Sequence, residues 1–337
     1  MSPSLVGIIA NPASGRDIRR LVAHGTVFDN NEKTAIIRRV LVGLASVGAT
    51  RVAYMPEHDF GIVPRALAER SGQRASTYAA LTVEPLTMPL AGTSADSTLA
   101  ATLLAEAGAG CIITLGGDGT NRAVAKGSGA VPLIAISTGT NNVFPSFIEG
   151  TLAGIAAGLI ANSDVGYTTS YRSPWMEVSV DGAVREYALV DVVASAYPFV
   201  GTRAIWDLDL VREVVLARVA PATIGLSSLG GMLLDHEMDA DQRPGMHVVL
   251  GSGGKEVLAA LAPGLVQWVG VRSHRRLAVD DVVQLQQSVG TIALDGEREI
   301  ECLATTSIEV RLCADGPVVV DVAAALAAAA RSGSLHR

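Results

Sequence analysis

Five short apolar runs, each closed by a turn, recur through the first 140 residues and limit the folds open to this chain. They are LVGIIA (Leu5 to Ala10), TRVAYM (Thr50 to Met55), LTVEPL (Leu81 to Leu86), CIITL (Cys111 to Leu115) and PLIAIS (Pro132 to Ser137). Near-continuous apolar, β-branched runs belong to parallel strands buried on both faces. Helical patterns lie between them. The segment from Asn31 carries Glu32 in its first turn and apolar Ile36, Ile37, Val40, Leu41 and Leu44, and a second pattern runs from Ser94 to Ala107. This βαβα order predicts a doubly wound parallel sheet with helices on both faces.

The pattern changes near Tyr167. WMEVSVDGAVREYALV reads as a hairpin closed by Asp181-Gly182, and Asp295-Gly296 and Asp315-Gly316 read as further hairpin turns. The runs MHVVLG, VLAALA, LVQWVGV, VVQLQQ, TIALDG, REIECLA, SIEVRL and VVVDV continue in strand-like fashion, with one helix expected from Ile205 to Arg218. A chain of 337 residues is too long for one ordinary core. The expected organisation is an α/β N-terminal doubly wound parallel-sheet domain over 1–146, then a β-rich, antiparallel, sandwich-like domain over 147–320. A C-terminal helix and tail, 321–337, would pack back on the first domain.

Charge removes some function classes. Acids outnumber bases 33 to 26, for a net charge of -7, and the densest basic run is VRSHRR, ending at Arg276. Phosphate-backbone binding needs clustered Lys and Arg, so a nucleic-acid partner is not expected. The most apolar helical pieces, LAGIAAGLIA from Leu152 and VAAALAAAA from Val322, fall short of the ~18 residues that span a bilayer. No charged leader precedes the first strand, so a cytoplasmic protein without a membrane partner is expected. Cys111, Cys302 and Cys313 show no metal spacing and sit in apolar runs, as buried reduced thiols do. Nearly half the residues are hydrophobic, which favours a homo-oligomer.

Ligands of open α/β sheets bind beyond the carboxyl ends of the strands, and three loops there carry chemistry. The first, IIANPASGR, offers the side chains of Asn11 and Ser14 as donors and Gly15 for close approach; the alternative is a plain Asn-Pro turn. The second runs Gly116-Gly117-Asp118-Gly119-Thr120 into a helix through Val124. Glycine-rich backbone and a helix N-terminus attract anions, so Asp118 fits only if a cation or a reacting hydroxyl lies between it and phosphate. The alternative is that Asp118 caps the helix. The third loop, ISTGTNNVF, supplies Thr138, Gly139, Thr140, Asn141 and Asn142. Other signatures fail. In GSGGKE, Val249 stands where the first P-loop glycine belongs and Glu256 replaces Ser/Thr, and no GxGxxG follows the first strand.

GGDGT after a buried strand, with NPASG after the first strand, resembles the superfamily of NAD kinases and diacylglycerol/sphingosine kinases. The combination IIANPASGRDIRR, NNEK, LGGDGTNRAV, ISTGTNNVFP and GLSSLGG is most similar to the ATP-NAD kinase-like acetoin catabolism protein X family, over most of the chain. The resemblance implies a phosphotransferase with ATP (or polyphosphate) and Mg²⁺, acting on a hydroxyl, NAD being the leading acceptor. It places the active site between the domains, with Asp118 near the acceptor or its metal. Gly116, Gly117, Gly119 and Thr120 would cradle phosphate, Asn11 and Ser14 would help hold the nucleotide, and the third loop would add donors.

LDGERE resembles the Asp-Gly-Glu of the lipid-kinase branch, which makes Asp295 and Glu297 acid–base or metal candidates; Asp-Gly is also what a tight turn needs. The sequence departs from the pattern at two places. Val190 stands where NAD kinases carry the Asn of a ribose-gripping pair, leaving only Asp191, and Asn121-Arg122-Ala123 replaces the Asn-Glu that follows GGDGT in the lipid branch. These departures keep two other readings open: a non-catalytic nucleotide-sensing module of the same fold, and a kinase for another small alcohol or a lipid.

Overall fold

The computed structural model describes residues 4–14, 24–68, 78–162, 169–196, 208–234, 244–286, 290–303 and 305–335. The five apolar runs form β1 (Leu5–Ala10), β2 (Arg51–Tyr54), β3 (Thr82–Pro85), β4 (Ala109–Gly116) and β5 (Leu133–Ser137). They pair in parallel in the order β3-β2-β1-β4-β5. Helices α1 (Asn30–Ser46), α2 (Ile62–Ala68), α3 (Ser94–Glu106), α4 (Asp118–Ser128) and α5 (Gly150–Asn162) cover both faces. Side chains alternate across a strand. Val6, Ile8 and Ala10 therefore pack with Ile37, Leu41 and Ala157 on one face, while Leu5 and Ile9 pack with Leu104 and Val124 on the other. The expected doubly wound sheet is what forms.

Helices α1 and α5 cross at backbone distance. A Cβ on Gly43 would lie 2.3 Å from the Thr151 carbonyl oxygen, and one on Gly154 would lie 2.2 Å from that of Val40. Helix α1 starts one residue earlier than its pattern suggests, because Asp29 caps it by accepting from the Glu32 N–H.

The second half contributes β6 (Ser170–Arg172), β7 (Trp175–Val180), β8 (Ala183–Ala188), β9 (Asp191–Ser195), β10 (Val211–Leu216), β11 (Gly245–Ala262), β12 (Leu265–Leu277), β13 (Val282–Gln284), β14 (Gly290–Leu294), β15 (Glu297–Cys302), β16 (Ile308–Cys313) and β17 (Val318–Val320). Helices α6 (Ser227–Met232) and α7 (Val322–Arg331) complete it. One antiparallel sheet runs β12-β11-β10-β9-β14-β15 and the other β13-β16-β7-β8. Between them Met176, Val178, Val192, Ala194, Ile292, Leu294, Val310 and Leu312 form a sandwich core. Strands β17 and β6 extend the first sheet beyond β5, and Ala325 of α7 joins the core that holds Ala153 and Ala157.

Two sequence expectations fail. The helix expected over Ile205 to Arg218 is instead strand β10 from Val211 to Leu216, paired antiparallel with β9 and β11; residues 205–207 lie outside the described residues. Asp315-Gly316 closes no hairpin, since β16 and β17 belong to different sheets. Gly316 is needed there for close approach: a Cβ would meet the Ser173 carbonyl oxygen at 2.3 Å. MHVVLG and VLAALA form the single strand β11, and GSGGKE is an irregularity within it, where the register against β12 shifts between Leu250 and Lys255. The three cysteines are buried, as expected, and unbridged. No helix among the described residues is long and apolar enough to cross a membrane.

Candidate functional site

The strand order reverses between β1 and β4, and the loops leaving β1, β4 and β5 meet at that switch point. Side chains stitch them together. Asn11 Nδ2 donates to Thr120 Oγ1 (2.9 Å), while Ser14 Oγ donates to the Asn11 carbonyl (2.9 Å) and lies 3.2 Å from Thr138 Oγ1. Beneath the first loop sits Lys33, fully buried. Its ammonium donates to the carbonyls of Asn11 (2.9 Å) and Ser14 (2.8 Å) and to Asn30 Oδ1 (3.1 Å).

In the second loop Gly117, with extended backbone, precedes helix α4 as its N-cap residue, and Asp118 is the first helical residue. The capping alternative for Asp118 is therefore overturned. Its carboxylate turns to the third loop instead, accepting from the Val143 N–H (3.1 Å to each oxygen) and from the Phe144 N–H (2.7 Å to Oδ1). The glycines allow this close approach. A Cβ on Gly117 would lie 2.7 Å from Asn142 Oδ1, and one on Gly116 would lie 2.5 Å from the Thr120 Cβ. Buried Asn121 secures the helix start, donating to the Gly117 carbonyl (2.8 Å) and accepting from Thr114 Oγ1 (2.6 Å).

The opposite wall comes from the β14–β15 hairpin. Asp295 (φ 52°) and Gly296 (φ 79°) adopt the left-handed conformations of a tight turn, so the Asp-Gly signal does serve a hairpin. The turn also faces the site. Asp295 Oδ1 accepts from the N–H groups of Leu189 (2.9 Å) and Val190 (2.8 Å), and Oδ2 lies 3.7 Å from Arg122 Nε. Burial pushes the Asp295 carboxyl above its ordinary range, against the pull of the Arg122 charge and the amide donors. Asp191 Oδ1 accepts from the Gly296 N–H (3.1 Å), and the Asp191 carbonyl accepts from the Asp295 N–H (2.9 Å). Glu297 reaches over the start of α4, its Oε1 lying 3.9 Å from the Cβ position of Gly119.

These groups enclose one cavity of about 540 Å³, within the range of small-molecule sites. Asn11, Ser14, Gly117, Asp118, Gly119, Thr120, Thr138, Gly139, Thr140, Asn141, Asn142, Asp295 and Glu297 all line it. Gly116 and Asp191 do not line it, and Gly15 lies outside the described residues. Sequence reasoning assigned no role to several other lining residues: Arg122, Glu57, His58, Thr93, Asp96 and Ser97. Among them Glu57 accepts from the N–H groups of Phe60 and Ile62, and Asp96 from those of Ala91 and Gly92, so both carboxylates hold loops. Lys33 enters the sequence reading only as part of NNEK and with no role of its own, because a lysine on an amphipathic helix ordinarily faces water.

Residues 6–164 match the ATP-NAD kinase N-terminal domain, and residues 174–315 match the acetoin catabolism protein X C-terminal domain. Acetoin catabolism protein X of Cupriavidus necator is 37% identical over 338 residues, covering 97% of this chain and 92% of that protein. The chain belongs to the acetoin catabolism protein X family. A solved diacylglycerol kinase from Bacillus anthracis str. Sterne aligns at 13% identity with a TM-score of 0.45, over 95% of this chain and 97% of that one. This member of the acetoin catabolism protein X family thus has a kinase-like N-terminal half joined to the family's own β-rich C-terminal domain.

The donor set suits a nucleotide with a divalent cation. Gly119 leaves its Cβ side open towards Glu297, and the first N–H groups of a helix have no intrahelical partner to occupy them. Among the described residues no three His, Cys, Asp or Glu side chains form a metal cage. Mg²⁺ needs none, being held by one or two carboxylates together with substrate phosphates. Asp118 is the carboxylate that would hold it.

Proposed function

We propose that this protein transfers a phosphoryl group from a nucleoside triphosphate to a hydroxyl, in a role tied to acetoin catabolism, with NAD the first acceptor to test. One observation carries the reading: three donor-rich loops of the first sheet and a carboxylate-bearing turn of the second converge on a single cavity. Phosphoryl transfer depends almost entirely on positioning and charge neutralisation, which is what such a convergence supplies. Thr120, Thr138, Thr140 and Asn141 would donate to phosphate and ribose oxygens. Asp118, held by the two amides of the third loop, would orient the acceptor side, and bound Mg²⁺ would supply positive charge for the phosphates. Glu297 would accept the proton of the acceptor hydroxyl as its oxygen bonds to the γ-phosphorus and the bond to the ADP oxygen breaks.

A second reading is a nucleotide-sensing module without turnover. It is favoured by Val190 and Asp191, which hold the Asp295-Gly296 turn where an NAD kinase would grip ribose. A thermal-shift screen of ATP, polyphosphate, NAD and small alcohols with Mg²⁺, followed by an ADP-release assay, separates the two. ADP formed with an acceptor supports the kinase. Stabilisation by nucleotide with no ADP from any acceptor supports the module.

A further inference from the structure

Arg218 sits on the segment leaving β10, behind the cavity wall, and is not among the lining residues. Its guanidinium lies 4.7 Å above the centre of the Phe144 ring, donates to Ser173 Oγ and bonds the side chain of Tyr171. Burial is the main influence on the guanidinium and lowers its pKa, while the Tyr171 hydrogen bond and the charges of Asp118 and Asp295 act the other way. An arginine remains charged even so. Such a buried cation persists only where an aromatic face, hydrogen bonds and nearby anions compensate its desolvation.

Two short routes lead from this residue to the two walls of the cleft. Through Phe144, whose ring the guanidinium covers, the route ends at Asp118: the Phe144 N–H donates to Oδ1 at 2.7 Å. Through its chain neighbour Ala217, it ends at Asp295: the Ala217 N–H donates to the Val190 carbonyl (3.0 Å), and the Val190 N–H donates to Asp295 Oδ1 (2.8 Å). The two carboxylates belong to different sheets, and Arg218 is placed between their supports, in addition to the Arg122–Asp295 pair that bridges α4 to the same turn.

The geometry points to Arg218 as a positioning residue that fixes Asp118 against the Asp295–Glu297 turn across the cleft. It touches neither the cavity nor a reacting atom; it acts by seating the Phe144 ring and so aiming the amide that holds Asp118. The effect on turnover rests on the proposed phosphoryl transfer, whereas the effect on the Phe144 amide does not.

The test compares Arg218→Met, which keeps the stem and removes the charge, with Arg218→Lys and with Phe144→Leu, which removes the ring. Amide hydrogen exchange is read at Phe144, with Ile113 in β4 as the internal control. The expected result is exchange at Phe144 at least about tenfold faster in Arg218→Met and Phe144→Leu, intermediate in Arg218→Lys, and within about twofold of wild type at Ile113. ADP release should fall at least about tenfold in Arg218→Met, with Mg²⁺-ATP affinity within about threefold. Unchanged exchange at Phe144, or an equal rise at Ile113, would overturn the assignment, the second by showing a general loosening. If Arg218→Met does not fold, Phe144→Leu decides by the same criteria. If wild type shows no turnover but the exchange pattern appears, the phosphoryl-transfer reading fails and the positioning role stands.

Discussion

Arg122 Nε and Asp295 Oδ2 lie 3.7 Å apart, with side chains 8% and 0% exposed, and this pair joins helix α4 of the first sheet to the hairpin turn of the second. One Asp295 oxygen holds two backbone amides, while Oδ2 faces the guanidinium without a hydrogen bond to it. Asp295→Ala would orphan two N–H groups and leave Arg122 without this carboxylate, at a cost of about 2–4 kcal/mol. Urea unfolding of the variant should show that loss; a change under about 0.5 kcal/mol, as for an ordinary surface site, would contradict it.

The same residue gives stability a pH dependence. Burial raises the Asp295 carboxyl above its ordinary 3.8, more than Arg122 and the amides lower it, so the folded chain holds this proton more tightly than the unfolded one. Its contribution is complete below the ordinary value and is lost as pH rises through the raised one. Asp295→Asn removes the titration. The unfolding free energy of wild type should therefore decline relative to that of Asp295→Asn as pH rises from about 4 to about 7. A constant difference across that interval would count against the buried carboxyl.

Lys33 supports the first loop from below. Lys33→Met keeps the volume and removes the donors to the Asn11 and Ser14 carbonyls, which should cost about 1–3 kcal/mol. It should also weaken nucleotide binding, because Asn11 and Ser14 reach the other two loops from that backbone. Calorimetric titration with Mg²⁺-ATP checks this. Affinity equal to wild type in a folded variant would show that the loop does not need its clamp.

Burial pushes the thiols of Cys111 up to about 12 and of Cys302 and Cys313 up to about 11. Thiolate is the reactive form. The native protein should therefore leave all three unlabelled by a thiol reagent at about pH 8 and expose them only on unfolding. Rapid stoichiometric labelling of the folded protein would contradict this packing.

Much of the fold was legible because burial leaves a regular trace. The apolar runs of β1, β4 and β5 are buried along their whole length, and the helix spacing of Ile36 to Leu44 faces the sheet. Strand β10 was misread for a physical reason. Val211, Val214 and Val215 have the spacing of a helix face, and only pairing with β9 and β11 makes them strand. Asp315-Gly316 carries the same local signal as Asp295-Gly296, and the difference lies in which sheets the flanking strands join. The GGDGT and GTNN loops could be read as a site because glycines and donors at strand ends have few other uses. Lys33 and Arg218 could not, since their roles depend on which distant carbonyls, rings and carboxylates fold against them.

Asp118 carries the central chemical assignment, and its amide isostere tests it most directly. ADP release should be measured for wild type and Asp118→Asn with Mg²⁺-ATP, NAD first among the acceptors, alongside ATP affinity for both. Phosphoryl transfer organised by Asp118 predicts turnover in wild type, a loss of at least about 100-fold in Asp118→Asn, and ATP affinity within about threefold. Turnover in Asp118→Asn close to that of wild type would contradict it.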